Sequence, residues 1–217
     1  MKEINFIKSD HIGWSFFNAL KNSPALRHVS VQSAMLNHLN LRQAVDAIMQ
    51  NKSITSVAIC FADRSLMDRL FTTDNITHVS VVGPFGKTTY DTFTRPSLTS
   101  LTVESGFDEE PTFLYKIPNY TELKIISGSK PSTAAEVLST NTHVKKLHLI
   151  GGSHKKIEKL STMMLGQLTT LSLDCVALKV DICQILKNGT SLRELSIRAD
   201  GYMTQAVQDS KYDIQFT

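Results

Sequence analysis

The sequence predicts an α/β solenoid built on a parallel β-sheet of about nine strands, with a mixed helical and irregular side opposite the sheet. A six-residue pattern of one apolar, two polar, one apolar, one polar and one apolar residue recurs eight times, and the copies begin 28, 22, 22, 22, 24, 24 and 24 residues apart. A second, mostly aliphatic row stands six residues before seven of these copies. Self-similarity at a period of about 20 to 50 residues is the signature of repeat architectures.

Each copy ends in an apolar–polar–apolar alternation, which is typical of a half-buried strand. Every apolar slot is aliphatic except Tyr120. The eight copies are Leu26-Val29-Val31, Ile54-Val57-Ile59, Ile76-Val79-Val81, Leu98-Leu101-Val103, Tyr120-Leu123-Ile125, Val144-Leu147-Leu149, Leu168-Leu171-Leu173 and Leu192-Leu195-Ile197.

Partial copies extend the pattern to both ends, at Ile4 and Phe6 and again at Ile214 and Phe216. Because both ends fall almost inside a strand, the sequence leaves open that the chain is a fragment of a longer array. We predict one solenoid domain over 1–217 with three parts. These are an N-terminal strand and capping helix in 1–25, the repeats in 26–199, and a C-terminal cap or partial repeat in 200–217.

The segments between strands predict short helices in the longer repeats. Leu41, Val45 and Ile48 are spaced as on one helix face, and Trp14, Phe17 and Leu20 mark the N-terminal capping helix. Prolines interrupt the middle repeats too often for long helices. The second inward row consists of Ile48, Leu70, Thr92, Leu114, Leu138, Thr162 and Leu186.

The repeated pattern resembles the leucine-rich repeat, L-x-x-L-x-L, over nearly the whole chain. The resemblance implies parallel strands stacked about 4.8 Å apart into a curved sheet. The family pattern continues to an asparagine or cysteine three residues after the last slot. This chain lacks that ladder, which predicts a divergent member with irregular turns. The residues at those positions are Ala34, Ala62, Pro84, Gly106, Gly128, Gly152, Val176 and Asp200.

Composition excludes several classes of protein. With 217 residues, 41% apolar and 20% charged, the chain has the material for a core and is not of the disordered type. A net charge of +3 does not by itself argue for nucleic-acid binding, which needs clustered Lys and Arg. Three cysteines, no bilayer-length apolar run and an N-terminus without a secretory core predict a cytoplasmic protein with reduced thiols.

Candidate chemical motifs are weak. Gly83 and Gly86-Lys87-Thr88 resemble a phosphate loop, but only two residues separate the glycines where a P-loop needs about four. Three nearby histidines, His143, His148 and His154, do not converge on one ion at this spacing. We therefore expect no metal, no cofactor and no catalytic set, and predict that the chain is not an enzyme.

Four N-x-S/T sequons precede strands, where asparagine suits a turn, at Asn51, Asn75, Asn119 and Asn188.

The residues between the inward slots form columns on the opposite, outward face of the sheet. Most are small or hydroxylic, but Lys124, Lys146 and His148 gather on adjacent predicted strands, with Ile126 and Ile150 beside them. An apolar patch rimmed by charge is typical of a protein-binding surface. Two interpretations stay open: the isoleucines face solvent, or they turn inward where the strand ends.

These observations favour a protein–protein interaction module that binds its partner on the concave face, at Lys124, Ile126, Lys146, His148 and Ile150. The resemblance implies a bacterial effector acting in a host cytoplasm, or alternatively a substrate-receptor-like adaptor of a ubiquitin ligase. A second alternative is a phospho-ligand or nucleic-acid binder that uses the Lys/His patch. A third is a hydrolase or transferase, which a pocket with a nucleophile–base pair would reveal.

Overall fold

The structure is a computed structural model that describes residues 3–6, 14–31, 38–60, 69–70, 72–82, 97–105, 120–127, 138–151, 162–175, 185 and 187–199. Within these ranges nine strands form one sheet. The strands are β1 (Glu3–Phe6), β2 (His28–Val31), β3 (Ser56–Cys60), β4 (His78–Val82), β5 (Ser100–Ser105), β6 (Glu122–Ser127), β7 (Lys146–Ile150), β8 (Thr170–Cys175) and β9 (Glu194–Ala199). The helices with described bounds are α1 (Trp14–Asn22), α2 (His38–Gln50) and α3 (Thr162–Gln167).

All neighbouring strands in the sheet are parallel, and their spatial order is their order in the chain, from β1 to β9. The predicted α/β class and parallel sheet are therefore confirmed. Equivalent positions of successive repeats stand opposite one another, so that Leu123 is in register with Leu147, which is in register with Leu171. Each repeat consequently places its apolar slots directly beside those of the next.

The core lies between the inner face of the sheet and the helical side. All apolar slots of the eight copies are buried, and none is more than 6% exposed. Leu20 of α1 and Val45 and Ile48 of α2 belong to the same buried cluster. Of the second inward row, Ile48, Leu70 and Leu138 are buried as expected. Thr92, Leu114 and Leu186 lie outside the described residues.

The described part of the N-terminal segment contains one strand and one helix. Strand β1 and helix α1 lie in the segment predicted to hold a strand and a capping helix. On α1, Phe17 and Leu20 face the core as their spacing predicts. The predicted cap or partial repeat at 200–217 lies outside the described residues, as do the eight positions where the leucine-rich repeat carries asparagine or cysteine.

A threonine ladder, which the sequence analysis missed, joins successive repeats just before the strands. The carbonyl oxygen of Thr77 accepts the N–H of Thr99 at 2.8 Å, the N–H of Ser100 at 3.1 Å and the hydroxyl of Thr99 at 3.1 Å. Because one carbonyl takes three donors, the turn into each strand is fastened to the repeat before it. Threonine holds this position in five of the eight copies, at Thr55, Thr77, Thr99, Thr121 and Thr169.

Asn51 performs a related task at the junction of α1, α2 and β3. Its side-chain amide donates to the carbonyl oxygens of Leu20 at 2.7 Å and Ser23 at 2.9 Å. Its side-chain oxygen accepts the N–H of Ser53 at 2.9 Å. Since Asn51 is only 5% exposed, its amide nitrogen is engaged in the fold and not presented to a glycosylating enzyme.

Tyr120 is the one non-aliphatic apolar slot, and the structure supplies the reason. The ring is fully buried, and a hydrogen bond joins its phenol to the side chain of Asn141 in the following repeat. Burial raises the pKa of Tyr120 well above its usual range, while the bond to Asn141 lowers it in part. The ring therefore fills the slot while its polar end has a partner.

The described cysteines stand far apart. Cys60 ends β3 and Cys175 ends β8, and five strand-to-strand steps separate them in the sheet. At about 4.8 Å a step this is about 24 Å, whereas a disulfide needs Cα atoms within about 7 Å. These two thiols cannot bridge each other in this fold. Cys183 lies outside the described residues.

The inward–outward alternation predicts opposite outcomes for two neighbouring substitutions on β8. Leu171→Asp buries a carboxylate at a fully buried position and should lower the free energy of unfolding by more than about 3 kcal/mol. Ser172→Asp, on the partly exposed outward side, should change it by less than about 1 kcal/mol. Urea unfolding followed by circular dichroism measures both, and equal losses would show that the register is wrong.

The buried phenol predicts a pH-dependent effect. Tyr120→Phe should cost about 1–2 kcal/mol at neutral pH, because the side chain of Asn141 loses a buried partner. The raised pKa means that the folded state favours the neutral phenol, so its contribution is complete below about pH 10 and is lost as pH rises above that. Urea unfolding between neutral pH and pH 11 should therefore show a shallower alkaline loss for Tyr120→Phe than for the wild type. An equal loss would contradict this role.

Candidate functional site

The outer face of the sheet, opposite the core, is formed by the residues that alternate with the buried slots. Its described side chains are mostly small and hydroxylic, and nearly all are partly or fully exposed. The central column shows this, since Lys124 and His148 are the only large side chains in it. That column reads Ser30, Ala58, Ser80, Thr102, Lys124, His148, Ser172 and Ser196.

The structure brings the five predicted binding residues together on two adjacent strands of this face. Lys124 and Ile126 lie on β6, and Lys146, His148 and Ile150 lie on β7. Lys124 is in register with His148, and Ile126 is in register with Ile150. We call these five residues the β6–β7 patch.

The two isoleucines of the patch are partly exposed and do not belong to the buried core. They stand side by side in register, at the carboxyl ends of their strands. Directly after Ile150 the chain leaves the strand at Gly151, whose φ of 77° favours glycine, and the N–H of Gly151 donates to the carbonyl oxygen of Asp174 at 2.7 Å. This bond ties the exposed end of β7 to β8.

A glutamate–histidine contact in the patch differs from the pairing that strand register alone suggests. Glu122 is in register with Lys146 and is expected to pair with it, but its Oε1 lies 3.7 Å from Nε2 of His148. The contact runs diagonally, from one residue on β6 to a residue two further along β7. Both side chains are partly exposed, so the contact adds little to stability.

His148 lies among charges of both signs. Burial lowers the pKa of its imidazole, Glu122 opposes this, and Lys124 and Lys146 lower it further, while Glu194 raises it. The net direction is downward, so the ring is neutral at physiological pH.

The acidic side chains of β6 to β9 on this face are engaged within the chain. Besides Glu122, Asp174 Oδ2 lies 4.0 Å from Nη1 of Arg198, and Glu194 accepts the hydroxyl of Thr170 at 2.9 Å. Within the described part of the chain, neither lysine of the patch forms an ion pair. The patch therefore presents two lysines beside two partly exposed isoleucines.

A serine–histidine contact lies elsewhere on the outer face. Nδ1 of His28 on β2 is 2.7 Å from Oγ of Ser56 on β3, and His78 on β4 flanks Ser56 on the other side. Sequence reasoning missed this pair, although the three residues hold equivalent positions in successive repeats. Nucleophilic catalysis would also need N–H donors for an oxyanion. The N–H groups of Thr55 and Ser56 both donate to the carbonyl oxygen of Arg27 instead.

A cleft of about 370 Å³ lies between α1 and α2, on the helical side of the sheet. Phe17 and Ala47 form its apolar floor. Its acidic residue, Asp46, is ion-paired with Arg69. The cleft contains neither the patch nor the serine–histidine contact. Its other lining residues are Asn18, Lys21, Gln43 and Gln50.

The predictions about metal binding, the phosphate-loop-like segment and membrane spans can be compared with the described residues. No group of three or more His, Cys, Asp or Glu able to hold a metal occurs among the described residues. His143 is exposed, whereas His154 and the loop-like segment 83–89 lie outside the described residues. In the described ranges, no helix has the length and apolar character to cross a bilayer.

No protein-family model matches the sequence, and no curated protein matches it either.

The lowered pKa of His148 predicts the sign of a pH effect. The folded state disfavours the imidazolium, so this side chain's contribution to stability is present above about pH 6.5 and is lost as pH falls through the lowered pKa. Urea unfolding at pH 7.5 and pH 5 should show a smaller acid-induced loss for His148→Gln than for the wild type. A larger loss would mean that the pair with Glu122 raises the pKa overall.

Proposed function

We propose that this protein is a divergent leucine-rich-repeat solenoid that binds a protein partner on its outer sheet face, which is the concave face in that family. The strictly sequential parallel strand order, the repeat spacing and the buried slots support the solenoid. A partner, not a substrate, is the proposed ligand.

The observation that carries the binding proposal is the partly exposed apolar pair, Ile126 and Ile150, in register with each other beside Lys124 and Lys146. Neither isoleucine is needed to fill the core, which the apolar slots complete. Partly exposed aliphatic side chains with a charged rim are favourable anchors for a partner. Burying them stabilises a complex by about 25 cal/mol per Å² of apolar surface removed from water.

A non-catalytic role is part of the same proposal. Ser56 and His28 are the best nucleophile–base pair on the described outer face, but the nearby N–H groups of β3 already donate to Arg27. A cytoplasmic location, delivery into a host cell as a bacterial effector, and an adaptor role in a ubiquitin ligase stay predictions from the family resemblance.

The test compares a patch variant with a matched variant three strands away. Lys146→Glu with Ile150→Ser changes the first and third outward positions of β7, and His78→Glu with Val82→Ser changes the same two positions of β4. All four side chains are partly or fully exposed, so both variants should keep melting temperatures within a few degrees of the wild type.

Proteins captured from candidate host and native lysates are first identified by mass spectrometry, and the purified partner is then titrated. The patch variant should weaken binding at least about tenfold, because a central anchor contributes more than about 1.4 kcal/mol. The β4 variant should bind within about twofold of the wild type. Equal binding by the patch variant and the wild type would place the partner site off the β6–β7 patch.

A further inference from the structure

The acidic and basic side chains around the patch differ in whether they contact other groups of this chain. This difference indicates the chemistry of the partner. The carboxylates of Glu122, Asp174 and Glu194 each contact a group of this chain. Lys124 and Lys146 have no ion-pair partner within the described residues. A ligand that supplies carboxylates gains two ion pairs without breaking one. A basic ligand has to compete with the contacts of these three carboxylates, and among the described carboxylates bordering the patch only Glu104 has no ion-pair partner in the described residues.

Resting on the proposed binding function, we infer that the partner presents a short acidic–apolar segment to the β6–β7 patch. One or two Asp or Glu side chains lie against Lys124 and Lys146. An aliphatic or aromatic side chain lies against Ile126 and Ile150. Lys124 and Ile126 are two residues apart on β6, so the acidic and apolar side chains of the segment are separated by about 7 Å.

The carboxylates bordering the isoleucines set the polarity of this segment. Glu104 on β5 is in register with Ile126, and Asp174 on β8 is in register with Ile150. An acidic group placed over the isoleucines would meet repulsion from both sides. At the amino ends of β6 and β7 the two lysines outnumber the one carboxylate, Glu122. The acidic residues of the ligand therefore lie towards these amino ends, and its apolar residue towards the carboxyl ends.

The same carboxylates disfavour a nucleic acid or another polyanion. A phosphate chain crossing the patch would pass Glu122, which is in register with Lys146, and then Glu104 or Asp174, which flank the isoleucines. It would also leave Ile126 and Ile150 without an apolar contact. A segment with one or two carboxylates beside an apolar residue satisfies both features of the surface.

The patch has the dimensions of a single segment. It spans two adjacent strands, about 5 Å, and three alternate positions along β7, about 13 Å. This is the footprint of a few consecutive side chains in an extended peptide, or of about two and a half turns of a helix. A short linear segment is accordingly the occupant that the geometry supports.

The test uses a display library of random peptides of about twelve residues, selected on the full chain. The wild type should enrich peptides with Asp or Glu within four residues of Leu, Ile, Val or Phe. The Kd of a synthesised enriched peptide should rise at least about tenfold for Lys124→Gln with Lys146→Gln, and similarly for Ile126→Ser with Ile150→Ser.

The matched control is Lys145→Gln with Arg193→Gln, which removes the same charge from exposed cations that precede β7 and β9. It should change the Kd by less than about twofold. Enrichment of basic peptides, equal binding to the lysine variant, or no enrichment at all would overturn the acidic–apolar segment. An oligothymidine probe that binds more tightly than the peptides, with steep salt dependence, would assign the lysines to polyanions. None of these outcomes alters the partner titration of the matched β7 and β4 variants, so the proposed function is judged separately.

Discussion

Every repeat in this chain has to place its apolar slots beside those of the repeat before it, and the rest of the structure depends on that stacking. A single repeat cannot bury its slots alone, because one strand and a short helical segment offer too little surface. Stacked in register, the slots form one continuous cluster. The threonine ladder holds this register from outside the core, since each carbonyl before a strand is tied to the next repeat.

The outer face follows from the same constraint. Side chains alternate along a strand, so burial of Leu147 and Leu149 forces Lys146, His148 and Ile150 to the other side. A slip of one residue would exchange the two sets, which the buried slots forbid. The buried slots therefore fix which residues face outward, whatever the type of those outward residues. This explains why a pair of partly exposed isoleucines can be kept there without loss of the fold.

The sequence predicted the parts of the structure that repeat and missed those that depend on geometry between repeats. Periodicity alone located the strands, their inward slots and the two strands of the patch, because a register of period two leaves no freedom. The diagonal contact of Glu122 with His148 could not be predicted, since it depends on side-chain rotamers across a sheet. The bond of Tyr120 to Asn141 joins residues in different repeats, and no spacing rule pairs them. The threonine ladder was visible as a column of Thr, but its hydrogen bonds follow from the turn that precedes each strand.

The backbone of the sheet bears on the proposal that this protein binds a partner and is not an enzyme. The ladder engages the N–H groups that an oxyanion site would need, and near Ser56 both candidates donate to one carbonyl oxygen. What the outer face still offers is side chains at regular spacing, about 4.8 Å between strands and about 7 Å along them. Under the proposed function, this spacing matches the order of charged and apolar groups on the ligand. In the proposed ligand that order is an acidic group at one end and an apolar group at the other. It matches two lysines without ion pairs among the described residues, two partly exposed isoleucines and the flanking carboxylates.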